Sequence, residues 1–182
     1  MIFSALIFSI ILIYLSKGSF KNILNFNYQK IEVALCGILI IFLINFFTIY
    51  DFLSISDFFV KKYFYFTILA LFFIIISLLF NYKVRGMIVI AFGLFCNTLP
   101  IIFNGKMPVS LSALSKINND KVFRIISEGL SLSHGVFENP KLYILSDIFP
   151  INPIFGQGKV LSIGDFIVSI GVILSLYKIS RR

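Results

Sequence analysis

Residues 63–103 read YFYFTILALFFIIISLLFNYKVRGMIVIAFGLFCNTLPIIF. Two apolar runs, Tyr63–Phe80 and Gly86–Phe103, flank a short break that carries Lys83 and Arg85. A helix crosses the hydrocarbon core of a bilayer with about 20 apolar residues, in a working range of about 17–25. Each run is long enough, and the cationic break between them reads as a tight turn outside the lipid. The stretch therefore predicts a transmembrane helical hairpin, and the rest of the chain extends it.

Val33–Tyr50 and Val160–Tyr177 are runs of the same kind. Met1–Ser16 is apolar but slightly short, covering roughly 24 Å at about 1.5 Å per residue. It lacks a basic region ahead of the apolar stretch, and Lys17-Gly18-Ser19 makes a poor cleavage site, so it reads as a retained membrane segment rather than a signal peptide. The fold expected is all-α: a polytopic membrane bundle of about five transmembrane helices, forming one integral membrane domain over residues 1–182. Composition excludes the soluble classes. With 59% hydrophobic and 13% charged residues and a mean hydropathy of +1.00, the 182-residue chain has far more apolar surface than a water-soluble globule of this size could bury. Its 23 Phe and 8 Tyr equally exclude disorder. Cys36 and Cys96 lie inside apolar runs and read as small buried hydrophobes.

The formal charge of +8 follows from the loops. Lys17, Lys21 and Lys30 separate the first two spans, Lys83 and Arg85 the third and fourth, and Lys178, Arg181 and Arg182 follow the last. The alternate loops hold Asp51, Asp57, Lys61 and Lys62, then a long mixed-charge segment, residues 104–158. Cations favour the cytoplasmic side. The expectation is a cell-membrane protein with its N-terminus outside, its C-terminus in the cytoplasm, and residues 104–158 outside. Within that segment Ser110 reads as the N-cap of a short helix. Asp120–Leu130 reads as an amphipathic helix, with Val122, Ile125, Ile126 and Leu130 on its apolar stripe.

Ionisable and amide side chains at membrane depth are candidates for function. Asp165 lies near the outer end of the last span, with Ser162 and Ser169 at helical spacing from it. Gly164, Gly171 and Ser175 form an adjoining stripe suited to close helix packing. Asp147 precedes Asp165 across a run of turn residues, so the two carboxylates can return to one depth and act as acid and base. Asn97 and Asn104 flank Pro100 in the fourth span, where Asn amides can satisfy a carbonyl freed by the proline. His134 is the sole histidine. The candidate set is thus Asp147 and Asp165 as catalytic residues, with Asn97, Asn104, Ser110, His134, Ser162 and Ser169 lining a polar site.

Asn104-Gly105-Lys106-Met107-Pro108-Val109-Ser110, Leu145-Ser146-Asp147-Ile148-Phe149-Pro150 and Val160-Leu161-Ser162-Ile163-Gly164-Asp165 together resemble an uncharacterised family of small bacterial membrane proteins, a domain of unknown function. The resemblance covers nearly the whole chain and implies a multi-pass protein whose polar signature faces outward. Separately, Ser162-Ile163-Gly164-Asp165-Phe166-Ile167 resembles the last motif of lipoprotein signal peptidase. That likeness implies an aspartyl dyad of Asp147 and Asp165. Ser162 and Gly164 replace the Asn and Ala of that family's motif, and its Asn and Arg have no counterpart around Asp147.

Three functional classes remain. The first is a non-enzymatic membrane module, such as a scaffold, partner subunit or sensor, with an outward polar site. The second is an aspartyl intramembrane peptidase. The third is a small transporter or substrate-binding subunit. No cofactor and no metal is expected. The expected partners are the lipid bilayer and another membrane protein. No nucleic acid is expected, because no basic stripe interleaved with aromatics occurs outside the loop cations.

Overall fold

The computed structural model describes residues 1–50, 52, 54–153 and 156–182; Asp51 lies outside them. Four helices are long and apolar enough to cross a membrane: α3 (Ile31–Ile49), α4 (Ser54–Phe80), α5 (Arg85–Asn104) and α8 (Ile163–Ser180). The chain is an all-α polytopic membrane bundle. Five spans were expected, and the first falls short: α1 (Ile2–Leu15) has 14 residues, about 21 Å of helix against a core of about 30 Å.

Two other boundaries differ from the apolar runs. Helix α4 starts at Ser54 rather than Tyr63. The Ser56 hydroxyl accepts from Phe52 N and donates to Tyr50 O, tying both residues to the start of the helix. Asp57 in its first turn complements the helix dipole. The charged segment before the apolar run is therefore helical too. Helix α8 starts at Ile163 rather than Val160, because Lys159–Leu161 pair as a strand.

Neighbouring helices pack in the order α3, α4, α5, α8, α1. The closest pair is α5 with α8, which run antiparallel. Gly93 faces Gly164 and Gly86 faces Gly171, so backbones meet where side chains would otherwise hold them apart. A Cβ on Gly93 would lie 2.8 Å from the Gly164 carbonyl oxygen, and one on Gly171 2.9 Å from that of Gly86.

The ends of the bundle differ. At one, the 16–30 segment, with its short helix α2 (Phe20–Leu24), meets the α4–α5 turn and the C-terminal residues. Ser19 N donates to Ser180 O, Gln29 N to Asn81 Oδ1, and Asn81 Nδ2 to Gln29 O. Leu78, Val84, Met87, Ala91 and Ile179 form the apolar core beneath. Lys17, Lys21, Lys30, Lys83, Arg85, Lys178, Arg181 and Arg182 all belong to this basic end.

The other end carries the segment between α5 and α8. Its parts are β1 (Met107–Pro108), α6 (Leu111–Leu114), α7 (Asp120–Ser127), β2 (His134–Gly135), a 3-10 turn (Tyr143–Leu145), β3 (Phe149–Ile151) and β4 (Lys159–Leu161). The amphipathic α7 ends at Ser127, earlier than Leu130. It turns Val122 and Ile126 onto the Val109–Leu114–Ile117 core, so its apolar stripe caps this segment.

Candidate functional site

Very short strands organise the site. Strand β1 pairs in parallel with β2, with Met107 N donating to Ser133 O at 2.8 Å and Val109 N to Gly135 O at 2.9 Å. On its other side Asp147 N donates to Pro108 O and Ser110 N to Asp147 O, both at 2.9 Å. The Met107-Pro108-Val109-Ser110 element is thus the central rung between the backbones of His134 and Asp147. One residue further, Ile148 N donates to Leu161 O at 3.1 Å, and β3 pairs antiparallel with β4. That pairing delivers the chain to Ser162 and α8. A backbone ladder therefore ties His134 to Asp147 and leads on to the start of α8, so that His134, Asp147 and Asp165 line one cavity.

Asp165 is fixed at the start of α8 by a capping box. Ser162 N donates to its Oδ2 at 3.0 Å, while Asp165 N donates to Ser162 Oγ at 3.1 Å. Asn97 of α5 closes the arrangement: its Nδ2 donates to Asp165 Oδ1 at 3.1 Å, and its Oδ1 accepts from Ser162 Oγ at 2.7 Å. Gly164 makes room for this, since a Cβ there would strike the Asn97 amide.

Asp147 is 5% exposed, and its Oδ2 lies 3.5 Å from His134 Nε2. His134 Nδ1 is hydrogen-bonded to Ser133 Oγ at 2.7 Å. Burial, and then the negative charge of Asp165, push the Asp147 carboxyl from its ordinary 3.8 up to about 8. Burial also lowers the His134 imidazole, with Asp165 opposing in part. Near neutral pH the contact therefore joins a neutral ring to a protonated carboxyl rather than two ions.

These groups open on a cavity of about 320 Å³, within the usual range for small-molecule sites. Asn97, His134, Asp147 and Asp165 line it together with Lys106, Ser133, Tyr63 and Thr67. Its apolar wall includes Phe64, Leu71, Leu94, Ile101, Leu132 and Val160. Leu94 lies midway along α5, so the space reaches from the end of the bundle toward its centre. A second cavity of about 380 Å³, beneath α7, shares His134, Asp147 and Val160 with the first. The His134–Asp147 pair thus stands between two cavities. Among the described residues no three His, Cys, Asp or Glu side chains converge to hold a metal ion.

A sequence profile described as a family of unknown function, DUF5317, matches residues 25–177. The chain belongs to the DUF5317 family. No curated protein and no solved structure matches it. The DUF5317 match takes in every residue named above as lining the first cavity.

Of the eight residues singled out in the sequence, Asn97, His134, Asp147 and Asp165 line the first cavity, and Ser162 is buried just behind Asp165. The other three sit elsewhere. Asn104 clamps two backbone segments, its Nδ2 donating to Pro100 O and Lys141 O and its Oδ1 accepting from Lys141 N. Ser110 holds the N-cap position of α6, but its hydroxyl makes no cap bond and meets Ser112 Oγ instead. Ser169 lines a separate groove between α1 and α8, because four residues along α8 from Asp165 lies below the cavity and under α1. Sequence reasoning missed Tyr63, Thr67, Lys106 and Ser133. Thr67 interrupts an apolar run much as Asn97 does, and that was its available signal. Its Oγ1 is buried without a hydrogen-bond partner.

Proposed function

We propose that this is a non-enzymatic module of the bacterial cell membrane that binds a small ligand from the outer side, as a sensor or a substrate-binding subunit. The observation that carries this is the half-enclosed cavity into which Asn97, His134, Asp147 and Asp165 converge at the end of the bundle away from the basic loops. Polar groups in such a place are costly to keep unless something uses them. On this reading the basic end faces the cytoplasm, the cavity opens outward, the N-terminus is outside, and the surrounding bilayer and a second membrane protein are the partners.

The test is a thermal-shift screen of the purified protein against small amines, acids, sugars and peptides, with Leu94→Trp as a cavity-filled variant. A stabilising compound whose effect disappears in Leu94→Trp supports binding. No shift with any class overturns it. Sidedness is read by thiol labelling of intact cells, starting from a variant without Cys36 and Cys96. Cysteines at Ser54 and Ser115 should react and those at Ser19 and Arg182 should not.

One arrangement favours a second reading, an aspartyl peptidase: Asp147 and Asp165 line one cavity, and burial, then the charge of Asp165, raises the pKa of the Asp147 carboxyl, as in a carboxylate dyad. That enzyme would lose all processing of a membrane-anchored peptide in both Asp147→Asn and Asp165→Asn while remaining folded.

A further inference from the structure

We propose that the cavity takes a small organic ammonium ion, a protonated amine on a compact apolar body, whose nitrogen sits between the Asp147 and Asp165 carboxylates. The inference rests on the ligand-binding reading above and specifies its chemistry. Asp165 receives its hydrogen bonds from two neutral donors, the Asn97 amide and the Ser162 backbone. Asp147 is more than nine-tenths buried, and the His134 imidazole at 3.5 Å is its close ionisable contact.

The ionisable groups facing Asp147 are His134 from β2, Asp165 from α8, Lys106 from the α5–β1 turn and Tyr63 from α4, with Lys159 of β4 across the second cavity. Lys106 donates its ammonium to the Ser131 carbonyl. With Asp147 protonated, Asp165 and Lys106 cancel. With Asp147 ionised, the cavity carries one uncompensated negative charge, which one ligand cation completes.

Several features favour an N–H-bearing organic cation over a metal ion or a quaternary amine. Among the described residues the carboxylates do not gather with a third ligand as a metal requires. Thr67 Oγ1, buried and unpartnered, and Ser133 Oγ are further acceptors for N–H donors. Phe64, Leu71, Leu94, Ile101 and Leu132 form the apolar wall that would receive the body of such a ligand.

The proton balance is explicit. An ammonium ion arrives with its charge, the Asp147 carboxyl releases its proton to solvent, and a carboxylate–ammonium pair remains. Affinity should therefore rise with pH, by up to about tenfold per unit, until Asp147 is already ionised in the empty site. The probe is phenethylamine, titrated calorimetrically into the detergent-solubilised protein at pH 6, 7 and 8 in two buffers of different ionisation enthalpy. The control ligand is its neutral analogue 2-phenylethanol.

The expected result is binding of the amine only, release of about one proton at pH 6, and affinity rising with pH. Asp147→Asn, near-isosteric with the protonated acid, should weaken binding at least about tenfold and abolish the pH slope. Asp165→Asn should weaken it while keeping proton release. Circular dichroism and gel filtration establish that both variants are folded. Equal binding of the alcohol, absence of proton release, or unchanged affinity in the two variants overturns the proposal. If an acid or a neutral solute binds instead and Leu94→Trp blocks it, the amine assignment fails while the binding reading stands. If no probe of any class binds, both fail.

Discussion

Two asparagines at opposite ends of the bundle show how differently buried polarity is used. Asn81, at the basic end, is 4% exposed and spends its amide wholly on backbone: it accepts from Gln29 N and donates to Gln29 O and Ser77 O, each at 2.9 Å. Asn97, at the cavity end, spends its amide on side chains, the Ser162 hydroxyl and the Asp165 carboxylate, and still lines open space. At the basic end the bonds join the 16–30 segment, the α4–α5 turn and the C-terminal residues, and they are consumed in doing so. At the cavity end they aim a carboxylate into a cavity. Saturated polarity is architecture; polarity left facing a cavity is the signature of a site.

The largest way to break this contrast is at the seam both ends share. Gly164→Val forces side-chain atoms onto the Asn97 amide and the Gly93 carbonyl. Overpacking of this kind costs about 3 kcal/mol, so the variant should melt roughly 6–12 °C below the parent and lose the cavity geometry with it. Differential scanning calorimetry in detergent reads the first, and loss of any cavity ligand the second.

Next in size is the paired comparison of Asn81→Ala with Asn97→Ala. The first strands three backbone groups, one of them fully buried, at the junction of two segments and should cost about 2–3 kcal/mol, while the second strands side-chain partners beside open space and should cost about 1–2 kcal/mol. The functional order is reversed: Asn97→Ala should disturb ligand binding and Asn81→Ala should not. If Asn81→Ala altered binding as strongly as Asn97→Ala, the distinction between the two ends would be lost.

Smaller and pH-dependent is the effect of Asp147. Its carboxyl ionises near 8 in the folded protein against an ordinary 3.8. Between those values the native state holds a proton that the unfolded chain has released, so stability falls as pH rises through the window. The slope is at most about 1.4 kcal/mol per pH unit. His134, lowered by burial, acts in the opposite sense, favouring higher pH, and only below about its ordinary 6.5. Melting temperatures measured between pH 6.5 and 8 therefore isolate Asp147. The parent should lose stability over that range relative to Asp147→Asn, and parallel curves would show that the carboxyl is already ionised.

The membrane path was legible because lipid imposes one dominant demand, a long apolar run, and α3, α4, α5 and α8 meet it. Where the demand weakens, the reading slipped. Helix α4 continues through Asp57, Lys61 and Lys62 because helix formation does not stop where hydrophobicity does. The start of α8 moved from Val160 to Ile163 because a three-residue strand carries no periodicity to betray it. The same blindness hid the ladder that joins His134, Met107–Ser110 and Asp147, so the two aspartates could be matched by depth but not placed. Helical spacing selected Ser169 as a neighbour of Asp165, yet spacing gives a face and not a height, and α1 covers that height. The position of Asn104 near Pro100 predicts an amide that satisfies a freed carbonyl, and its bond to the Pro100 carbonyl follows that logic. Its bonds to Lys141 depend on a chain return that no local pattern records.

Ser110 gives the smallest and most pointed test. Its sequence position is that of a helix N-cap, and a working cap contributes about 1 kcal/mol. Among the described residues its hydroxyl meets only Ser112 Oγ, while its backbone donates to the Asp147 carbonyl and accepts from Ala113 and Leu114. Alanine preserves every one of those backbone bonds. Ser110→Ala should therefore shift stability by less than about 0.5 kcal/mol. Asn119→Ala, which removes a real cap on Val122 N and donations to Gln157 and Gly158, should cost about 1–2 kcal/mol. A loss at Ser110 as large as at Asn119 would mean that its hydroxyl, not the backbone ladder, positions Asp147 at this end of the molecule.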